Sequence, residues 1–502
     1  MTAGINRLGQ PIRLTFLPLA ALFLSACGSS SDDGAGFVKF YNGSPNAPDV
    51  FLTLDEDLDS DADDEFEQTF SSVGYGSALS NREVPEGQYF YELGWQDEDS
   101  SARSDLEIIA ESTLQIRNES MTLVVMSNDI ETPEITFFDV AVIDDDDDVD
   151  NDLFNLRFLN VSVDNPQVDL YMSKSDETFN EAELMGTLDY LSLTDNVKLE
   201  EDQYIFYITA PGSTDVLFES TEVSYQFSSQ YVVMVRPSDG AGSTPFVIDN
   251  VGNSSVATYQ AVDAEARFRV YNGMQTNDLL PEYTGMIDVN FSGFSGSEIP
   301  QVSDLSIGEF STAFTVDNGD YSMSVDNAID DINLVNSQLL SLPENTDRTV
   351  FLYMVEEYVD EDGDGDYDED GDGQIDEIEA KLATAIVANS TRDRIYDHEV
   401  KVLNLVYNED IARVTFYFVK SDEIIETAEQ RRSTTLGNPE TLVLLNNTYD
   451  VFAIATIDGT DIILDNQTLT LDEESDEQFL LLESDIASAT GYRMRFVSQI
   501  VE

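Results

Sequence analysis

The chain has 502 residues, and its 100 acidic side chains against 23 basic ones give a formal net charge of −77. A surface this acidic repels phosphate backbones, which excludes nucleic acid as a partner. The 22 tyrosines and 28 phenylalanines indicate a folded protein, because disordered chains are poor in aromatic residues. With only one cysteine and one histidine in the chain, we expect no thiolate nucleophile, Cys/His zinc site or histidine-based triad.

The N-terminus is typical of a secretory signal. Arg7 and Arg13 precede an apolar stretch over residues 14–23, and small residues follow it. The stretch is shorter than the roughly 20 residues that a membrane-spanning helix needs. The run Leu24-Ser25-Ala26-Cys27 resembles the lipobox of bacterial lipoproteins, in which the cysteine is acylated and becomes the mature N-terminus.

The lipobox resemblance implies a bacterial cell-envelope protein that is anchored to the membrane through lipid on Cys27. In enterobacterial lipoproteins an aspartate after the cysteine favours inner-membrane retention. Gly28 stands at that position, so the resemblance implies the outer membrane, on its periplasmic or surface face. A lipidated Cys27 also leaves no cysteine for a disulfide, although the compartment is oxidising.

Three landmarks recur four times along the chain, at intervals of about 110 to 130 residues. The first is a short strand-like run that ends in asparagine, at Asn42, Asn160, Asn272 and Asn404. The second is a tyrosine after a short polar turn, at Tyr89, Tyr204, Tyr321 and Tyr449. The third is a fully apolar strand, at residues 123–126, 231–235, 350–354 and 479–482.

Repeated short strands and turn signals without a long helical period predict an all-β fold of four tandem antiparallel β-sandwich domains, immunoglobulin-like in type. We expect each landmark asparagine to form a turn by bonding its own backbone. We expect each landmark tyrosine to pack at a sandwich corner or in a core. The predicted segments are a signal peptide 1–26, a flexible tether 27–36, sandwiches over 37–143, 154–262, 266–397 and 399–502, and an extended, self-repelling acidic linker 144–153.

The openings of the first two copies carry a family resemblance. Residues 42–50 read Asn-Gly-Ser-Pro-Asn-Ala-Pro-Asp-Val before an apolar strand, and residues 160–171 are their counterpart. This strand, asparagine, proline-containing turn and second strand resemble domain of unknown function (DUF) 4397, a bacterial cell-envelope family. The resemblance implies an extracytoplasmic β-sandwich and carries over no functional residue. In the third and fourth copies the asparagine remains and the proline turn is lost.

One insertion, residues 360–379, follows the apolar strand of the third copy, where we expect a hairpin loop. Its second half, residues 368–379, matches the twelve-position calcium loop of EF-hands. A solvated acidic loop is the alternative in a chain this rich in aspartate, but Gly373 at the sharp turn and Ile375 at the apolar position favour calcium. The predicted ligands are Asp368, Asp370, Asp372, Gln374 through its backbone carbonyl, Asp376 through water, and Glu379.

The first half of the insertion departs from an EF-hand, because a second acidic run stands where the preceding helix would be. This run resembles the abutting aspartate loops of thrombospondin type 3 repeats and predicts a second, weaker calcium site. Its ligands are Asp360, Asp362, Asp364 and Asp366. We expect calcium to be structural and to rigidify the hairpin, since extracellular modules bind this ion weakly.

The sequence favours a non-enzymatic, lipid-anchored envelope protein that acts as a structural, adhesive or scaffold rod stiffened by calcium. Its expected partners are the membrane, through the lipid, and envelope proteins or polysaccharides. The alternative is a glycan-binding protein or a glycan-active enzyme, because paired carboxylates alone can hydrolyse glycosidic bonds. We expect Trp95 to pack in a core and His398 to lie on the surface at a domain join.

Overall fold

The computed structural model of the protein describes residues 34–57, 66–96, 102–143, 146–293, 301–330, 332–360, 367, 375 and 377–500. Cys27, the predicted signal peptide and most of the 360–379 insertion lie outside these residues. The chain is nearly all β, with 59% of residues in strands and 2% in helices, so the all-β prediction is confirmed. Within the described ranges eight sheets stack in pairs around four apolar cores, and we name these pairs sandwiches 1 to 4.

Sandwiches 1 and 2 come first along the chain. The strands of sandwich 1 are β1 (Ala35–Asn42), β2 (Val50–Asp55), β3 (Glu67–Thr69), β4 (Ser77–Ala78), β5 (Arg82–Pro85), β6 (Gly87–Gln96), β7 (Leu106–Ile116), β8 (Ser120–Ser127) and β9 (Glu134–Ala141). Those of sandwich 2 are β10 (Leu153–Asn160), β11 (Gln167–Lys174), β12 (Glu183–Asp189), β13 (Val197–Glu200), β14 (Gln203–Thr209), β15 (Val216–Glu219), β16 (Val223–Ser224), β17 (Gln230–Pro237), β18 (Phe246–Val251) and β19 (Val256–Tyr259). Their sheets have the orders β4-β1-β8-β9 with β5 on β1, β3-β2-β6-β7, β13-β10-β17-β18-β19, and β12-β11-β14-β15 with β16 on β14.

Sandwiches 3 and 4 repeat this arrangement. The strands of sandwich 3 are β20 (Ala266–Asn272), β21 (Met286–Gly293), β22 (Val302–Ser306), β23 (Phe314–Val316), β24 (Gly319–Asn327), β25 (Asn333–Leu342), β26 (Asp347–Tyr358) and β27 (Ile378–Ala388). Those of sandwich 4 are β28 (Asp397–Asn404), β29 (Val414–Val419), β30 (Gln430–Thr434), β31 (Glu440–Leu445), β32 (Asn447–Ile457), β33 (Thr460–Leu471), β34 (Gln478–Ser484) and β35 (Tyr492–Ser498). Their sheets have the orders β23-β20-β26-β27, β22-β21-β24-β25, β31-β28-β34-β35 and β30-β29-β32-β33. The helical elements are α1 (Asp146–Asp150) and the 3-10 turns Arg103–Asp105 and Phe179–Glu181.

One parallel strand pair recurs in every sandwich. β1 pairs parallel with β8, β10 with β17, β20 with β26, and β28 with β34. The other strand ladders in the described part of the chain are antiparallel. The parallel partners are the first and third landmarks of each copy. The two most apolar strands therefore lie side by side at the centre of one sheet, where both of their faces can be covered.

Each landmark asparagine closes the turn that follows the first strand. All four are buried, and each Oδ1 accepts a hydrogen bond from the backbone N–H two residues on. The donors are Ser44 at 3.1 Å, Ser162 at 2.9 Å, Met274 at 3.3 Å and Val406 at 2.9 Å. The predicted asparagine turn is confirmed in all four copies, including the two that lack the prolines.

Each landmark tyrosine forms a tyrosine corner. Its ring is buried, and its hydroxyl donates to the backbone carbonyl four residues earlier in the chain. The donor–acceptor pairs are Tyr89 to Pro85 at 3.1 Å, Tyr204 to Glu200 at 2.7 Å, Tyr449 to Leu445 at 2.9 Å, and Tyr321 to Asp317. The prediction that these tyrosines pack at sandwich corners is confirmed.

Neighbouring sandwiches also pack against each other, sheet face to sheet face. The interface between sandwiches 1 and 2 buries Tyr41, Met121, Leu123, Val125, Val140, Leu159, Val161, Val232, Met234 and Val251. The interface between sandwiches 3 and 4 buries Tyr271, Phe351, Tyr353, Ala385, Val387, Leu403, Leu405, Phe479 and Leu481. Because apolar area is removed from water on both sides, the four sandwiches form two tightly packed pairs.

Strand topology explains this pairing. In sandwich 1 the start of β1 lies beside the end of β9, because Phe37 is in register with Met121 and Met121 with Val140. The chain thus leaves the sandwich at the end where it entered, and sandwich 3 has the same arrangement. The next sandwich then lies alongside. Sandwich 2 has the additional strand β19, which runs back along β18 and moves the exit to the opposite end.

The rod expected from the sequence is not a single end-to-end row of sandwiches, because same-end exits bring sandwiches side by side and the chain also folds back. The connector between β27 and β28 contacts sandwich 1. Arg392 donates to the backbone carbonyls of Pro45 at 3.1 Å and Ala47 at 2.6 Å. The ring of Tyr396 stacks on Trp95 with 4.7 Å between centroids and 11° between planes. Trp95 is buried as predicted, and part of its cover comes from this connector.

Two polar residues are more buried than predicted. Asp148 of the acidic linker lies within α1 instead of an extended spacer, and its side chain is buried because Lys198 and Asn155 bind its carboxylate. His398 was expected on the surface, and that prediction is wrong: its side chain is fully buried in β28, with Nε2 2.8 Å from Asn446 Oδ1. Both residues lie where one sandwich meets the chain that enters it.

Candidate functional site

The 360–379 insertion, which the sequence predicts to bind calcium, connects two long paired strands. β26 and β27 form an antiparallel ladder that extends to the pair Tyr358 and Ile378, so the two ends of the insertion are neighbours. Asp360 and Glu379 are the predicted ligands that the structure describes. The others lie outside the described residues: Asp362, Asp364, Asp366, Asp368, Asp370, Asp372, Gln374 and Asp376. In the described part of the chain no group of three or more acidic, histidine or cysteine side chains is positioned to hold a metal.

Glu379, the predicted bidentate ligand, is the second residue of strand β27 and lies beside another carboxylate. Its register partner is Glu357 on β26. Lys381 forms ion pairs with both, at 3.0 Å to Glu357 and with Glu379 directly. The Glu379 side chain is 45% exposed and therefore accessible to an ion from solvent. Lys381 therefore offsets the repulsion between the carboxylates of Glu357 and Glu379 at the base of the hairpin.

A buried polar cluster lies at the interface between sandwiches 1 and 2. Asp249 is fully buried, and its Oδ2 accepts from Tyr41 Oη at 2.8 Å and from Arg236 Nε at 2.7 Å. Thr258 Oγ1 donates to its other oxygen at 2.7 Å. Burial, reinforced by Asp249, raises the pKa of Tyr41 well above its ordinary value. Burial, the largest single influence, opposes the charge of Arg236, but Asp249, Tyr75, Asp239 and Tyr41 together outweigh it and the pKa of Arg236 is raised.

An equivalent cluster lies between sandwiches 3 and 4. Tyr271, which occupies the position of Tyr41 in the third copy, donates to Glu483 of sandwich 4. Arg495 Nη1 donates to the same tyrosine oxygen at 3.2 Å, and Arg493 Nη2 lies 3.3 Å from Glu483 Oε2. Burial raises the pKa of Glu483, and Arg495 opposes that shift. Each pair interface thus contains a tyrosine, a carboxylate and arginine at its centre.

The Tyr75 ring joins the interface between sandwiches 1 and 2 to the connector between β27 and β28. The Tyr75 ring lies between two guanidinium groups, with Arg236 at 4.6 Å and Arg392 at 5.2 Å from its centroid. Arg236 also pairs with Asp239 at 2.8 Å. Cation–π contacts of this kind are strengthened where water is excluded. The contact ties sandwich 1, sandwich 2 and the connector after sandwich 3 together at one point.

A cluster of buried charged side chains lies where the connector between β27 and β28 meets sandwich 4. Arg394 Nη1 lies 3.2 Å from Asp397 Oδ2, and its Nε lies 3.5 Å from Glu477 Oε1. Burial raises the pKa of Asp397, opposed by Arg394. Burial also raises the pKa of Glu477 to about 8. Two carboxyls therefore lie beside one guanidinium at the base of β28, and burial favours the protonated form of Glu477.

A cavity of about 310 Å³ opens between sandwiches 1 and 4 beside this cluster. Asp49, Ser72 and Gln96 line it from sandwich 1, and Arg394 and Asp397 line it from the connector and β28. Because Arg394 already pairs with Asp397, the arrangement favours a structural ion pair over an acid available for proton transfer. The cavity can accept a small polar ligand through these side chains.

Sequence reasoning missed the interface residues, although one signal was present. The residue before each landmark asparagine alternates along the chain: Tyr41 and Tyr271 in the first and third copies, Leu159 and Leu403 in the second and fourth. All four side chains lie in the interfaces between paired sandwiches.

In the described residues no helix has the length and apolar character to cross a membrane.

Comparison with solved structures gives many matches at low sequence identity. The Bacillus anthracis TIE protein is 9% identical over 91% of this chain and 75% of its own, with a TM-score of 0.15. The FN1–FN3 domains of chicken CNTN1 are 10% identical over 61% and 91%, with a TM-score of 0.12. The pilus adhesin SpaC from Lactobacillus rhamnosus GG in its open conformation is 12% identical over 62% and 39%, with a TM-score of 0.13. At these TM-scores the likeness supports no inference about this chain.

One family model matches part of the chain, and no curated protein matches it. The matched segment, residues 34–171, covers sandwich 1, the acidic linker, β10 and most of β11. It therefore includes both asparagine turns on which the family resemblance was based. Residues 34–171 match the family described as Domain of unknown function (DUF4397).

Proposed function

We propose that the protein is a lipid-anchored, non-enzymatic structural protein of the bacterial cell envelope. In this role the chain is attached through Cys27 and holds its sandwiches at fixed positions outside the membrane. The observation that carries the proposal is the pairwise packing of the sandwiches, with a buried tyrosine–carboxylate–arginine cluster in each interface. Independent, flexibly linked domains would leave these faces exposed to water.

The interfaces favour a rigid scaffold. Leu123 and Met234 bury apolar surface between sandwiches 1 and 2, and the Tyr41–Asp249 contact adds a directional bond that only one docking geometry satisfies. Non-directional apolar contacts alone would allow sliding. A scaffold of this kind presents the outward acidic surfaces in a constant orientation to envelope proteins or polysaccharides.

Calcium is proposed as a structural cofactor of the 360–379 hairpin. Its ligands would be the side chains predicted from the sequence, and Glu379 would exchange its ion pair with Lys381 for the metal. Carboxylate and carbonyl oxygens are the ligands that calcium prefers. The ion would relieve repulsion among the clustered carboxylates and fix the loop that extends beyond β26 and β27.

Membrane fractionation tests the anchor. The full chain and its Cys27→Ala variant are expressed with the native N-terminus, and membranes are separated on a density gradient and extracted with detergent. We expect the unaltered chain in the outer-membrane fraction, labelled by a fatty-acid probe. We expect the variant to lose the label. A variant that is labelled and fractionates like the unaltered chain would overturn the lipid anchor.

A second experiment separates scaffold from enzyme. The detergent-solubilised full chain is used to capture partners from envelopes, with calcium and with a chelator, and is incubated in parallel with envelope polysaccharides. Retention of a defined partner without release of reducing sugar supports a structural role. Release of reducing sugar that the chain catalyses would support the glycan-active alternative and contradict the proposal.

A further inference from the structure

Three polar side chains meet beneath α1 at the entrance to sandwich 2. The carboxylate of Asp148 lies between an amine and an amide: Oδ1 is 2.6 Å from Lys198 Nζ, and Oδ2 accepts from Asn155 Nδ2 at 2.8 Å. On the far side of the amide, Asn196 Nδ2 donates to Asn155 Oδ1 at 2.8 Å. One carboxyl group thus contacts a nucleophile and an electrophile at the same time.

The sheet holds the amine and the amide next to each other. Asn155 on β10 and Lys198 on β13 are direct register partners in an antiparallel ladder, so their side chains project from the same face. Asp148 and Asn155 are buried, at 4% and 3% exposure. Ser228 Oγ donates to the backbone carbonyl of Asp148 at 3.2 Å, which fixes α1 over the ladder.

We propose that Lys198 and Asn155 form an intramolecular amide cross-link, with Asp148 as the proton-transfer group. The cross-link would be a covalent bond between β10 and β13. Lys198 and Asn155 both already contact the carboxyl group of Asp148. Because the two reacting groups are held in place, their reaction can be faster by many orders of magnitude than the same reaction between separate molecules.

The chemistry balances without any co-reactant. Asp148 takes a proton from Lys198 Nζ, and the neutral amine attacks Asn155 Cγ. The negative charge that develops on Asn155 Oδ1 is stabilised by the hydrogen bond from Asn196. Asp148 passes this proton to Nδ2, the Cγ–Nδ2 bond breaks, and ammonia leaves. The carboxylate then takes a second proton from the former Lys198 nitrogen, which leaves a neutral amide, and this proton departs with ammonia as ammonium. The product is a secondary amide, and the partial exposure of the Lys198 side chain, 38%, gives ammonia a route to solvent.

Sandwich 3 contains a comparable contact without a nucleophile, built from different elements: β26 supplies the carboxylate, β20 the cation, and the segment after β27 the asparagine. Asp347, also buried, accepts from Asn389 Nδ2 at 2.8 Å and from Arg267 Nε at 2.7 Å. A guanidinium stays protonated and does not attack an amide. The two sites therefore share a carboxylate that bridges a cation and an asparagine, and the amine of Lys198 is what makes the site in sandwich 2 reactive.

The position of the cross-link has a mechanical consequence, which rests on the proposed anchored role. In sandwich 2 the chain enters at the start of β10 and leaves at the opposite end after β19, so tension along the chain passes through this sandwich lengthwise. β10 is the strand that such tension would pull out first. A bond from Asn155 to Lys198 would stop its extraction at the third residue of the strand.

Peptide mass spectrometry of the full chain tests the proposal. The detergent-extracted protein is digested with trypsin, which does not cleave after a modified lysine. The expected product is a peptide pair joined at Asn155 and Lys198, lighter than the sum of its parts by the mass of one ammonia. Recovery of both residues only in unlinked peptides would overturn the cross-link, and it would leave the membrane anchor untouched.

Two variants assign the roles. Lys198→Arg keeps a cation beside Asp148, as Arg267 does beside Asp347, so we expect it to keep the fold and the ion pair and to give no joined peptide. Asp148→Asn removes the proton-transfer group while keeping the shape, and we expect at least a tenfold slower accumulation of the joined peptide in freshly synthesised protein. Joining at an unaltered rate in Asp148→Asn would contradict the role of the carboxyl group.

Discussion

Tyr41 and Asp249 are hydrogen-bonded at 2.8 Å across the face where sandwiches 1 and 2 meet, although 208 residues separate them in sequence. Arg236 binds the same oxygen of Asp249 from within sandwich 2. In the second pair of sandwiches the equivalent bond joins Tyr271 to Glu483. The recurrence of this contact indicates that the repeating structural unit is a pair of sandwiches.

Replacing Tyr41 by phenylalanine removes one donor to Asp249 and keeps the ring in the interface. Arg236 and Thr258 still bond the carboxylate, so we expect a moderate loss of about 1–2 kcal/mol in unfolding free energy. Calorimetry of the full chain measures it as a lower midpoint for the transition of the first pair. An unchanged thermogram would contradict the contact.

Replacing Asp249 by alanine has a larger effect, because Arg236 then keeps only Asp239 as a counter-charge in a buried site. We expect a loss of about 3–5 kcal/mol, as when one partner of a buried ion pair is removed. The matched control is Asp164→Ala in an exposed turn of sandwich 2, for which we expect about 0.5 kcal/mol or less. Equal effects of the two substitutions would argue against an interface role.

Loss of a tyrosine-corner hydrogen bond should lower stability by a similar amount in different sandwiches. Tyr204→Phe removes the 2.7 Å bond to the carbonyl of Glu200 and leaves that carbonyl without the tyrosine as donor. We expect a loss of about 1 kcal/mol in sandwich 2, with a similar value for Tyr449→Phe in sandwich 4. Urea denaturation of each variant checks the effect. A corner variant as stable as the unaltered chain would contradict it.

Glu477 predicts a pH dependence of stability. Burial raises its pKa to about 8 from an ordinary value of 4.5, so the folded state binds its proton more tightly than the unfolded state. The stabilisation is then complete below about pH 4.5 and is lost as pH rises through about 8, by an amount on the order of a few kcal/mol. We expect Glu477→Gln to flatten this decline between pH 5 and pH 9, roughly the window set by the two pKa values. Parallel denaturation profiles for both proteins would overturn the assignment.

Calcium titration tests the hairpin. Isothermal calorimetry of the detergent-solubilised full chain should give a calcium-dependent heat, which we expect to weaken at least tenfold in Asp368→Ala because the first ligand position of the loop is lost. Asp164→Ala serves again as the control and should bind like the unaltered chain. The absence of any calcium heat, or heat unaltered in Asp368→Ala, would remove the proposed cofactor.

Local chemistry made part of the fold predictable from sequence. The turn at Asn42 needs only its own side chain and the backbone two residues away, and the corner at Tyr89 needs only the carbonyl of Pro85. Alternating apolar residues then fix which face of each strand is buried. For these reasons the landmarks predicted the sandwich type, the turns and the corners in every copy.

The pairing of sandwiches was not predictable in the same way. Asp249 and Glu483 are two among 100 acidic side chains, and nothing in their local sequence marks them as buried. Tyr41 was indistinguishable from a core residue, because a strand covered on both faces is apolar throughout. The end at which the chain leaves a sandwich depends on the number of strands in the sheet. The short strand β19 therefore determines where sandwich 3 begins relative to sandwich 2, and no sequence motif marks this strand.

Trp95 gives the protein an internal optical reporter. It is the only tryptophan in the chain, and its ring stacks on Tyr396, which lies about 300 residues later. Its fluorescence therefore reports a single contact between distant parts of the sequence, whereas circular dichroism reports all four sandwiches together. A red shift in emission that precedes the loss of β-structure would mark the release of the connector from sandwich 1 as a separate step.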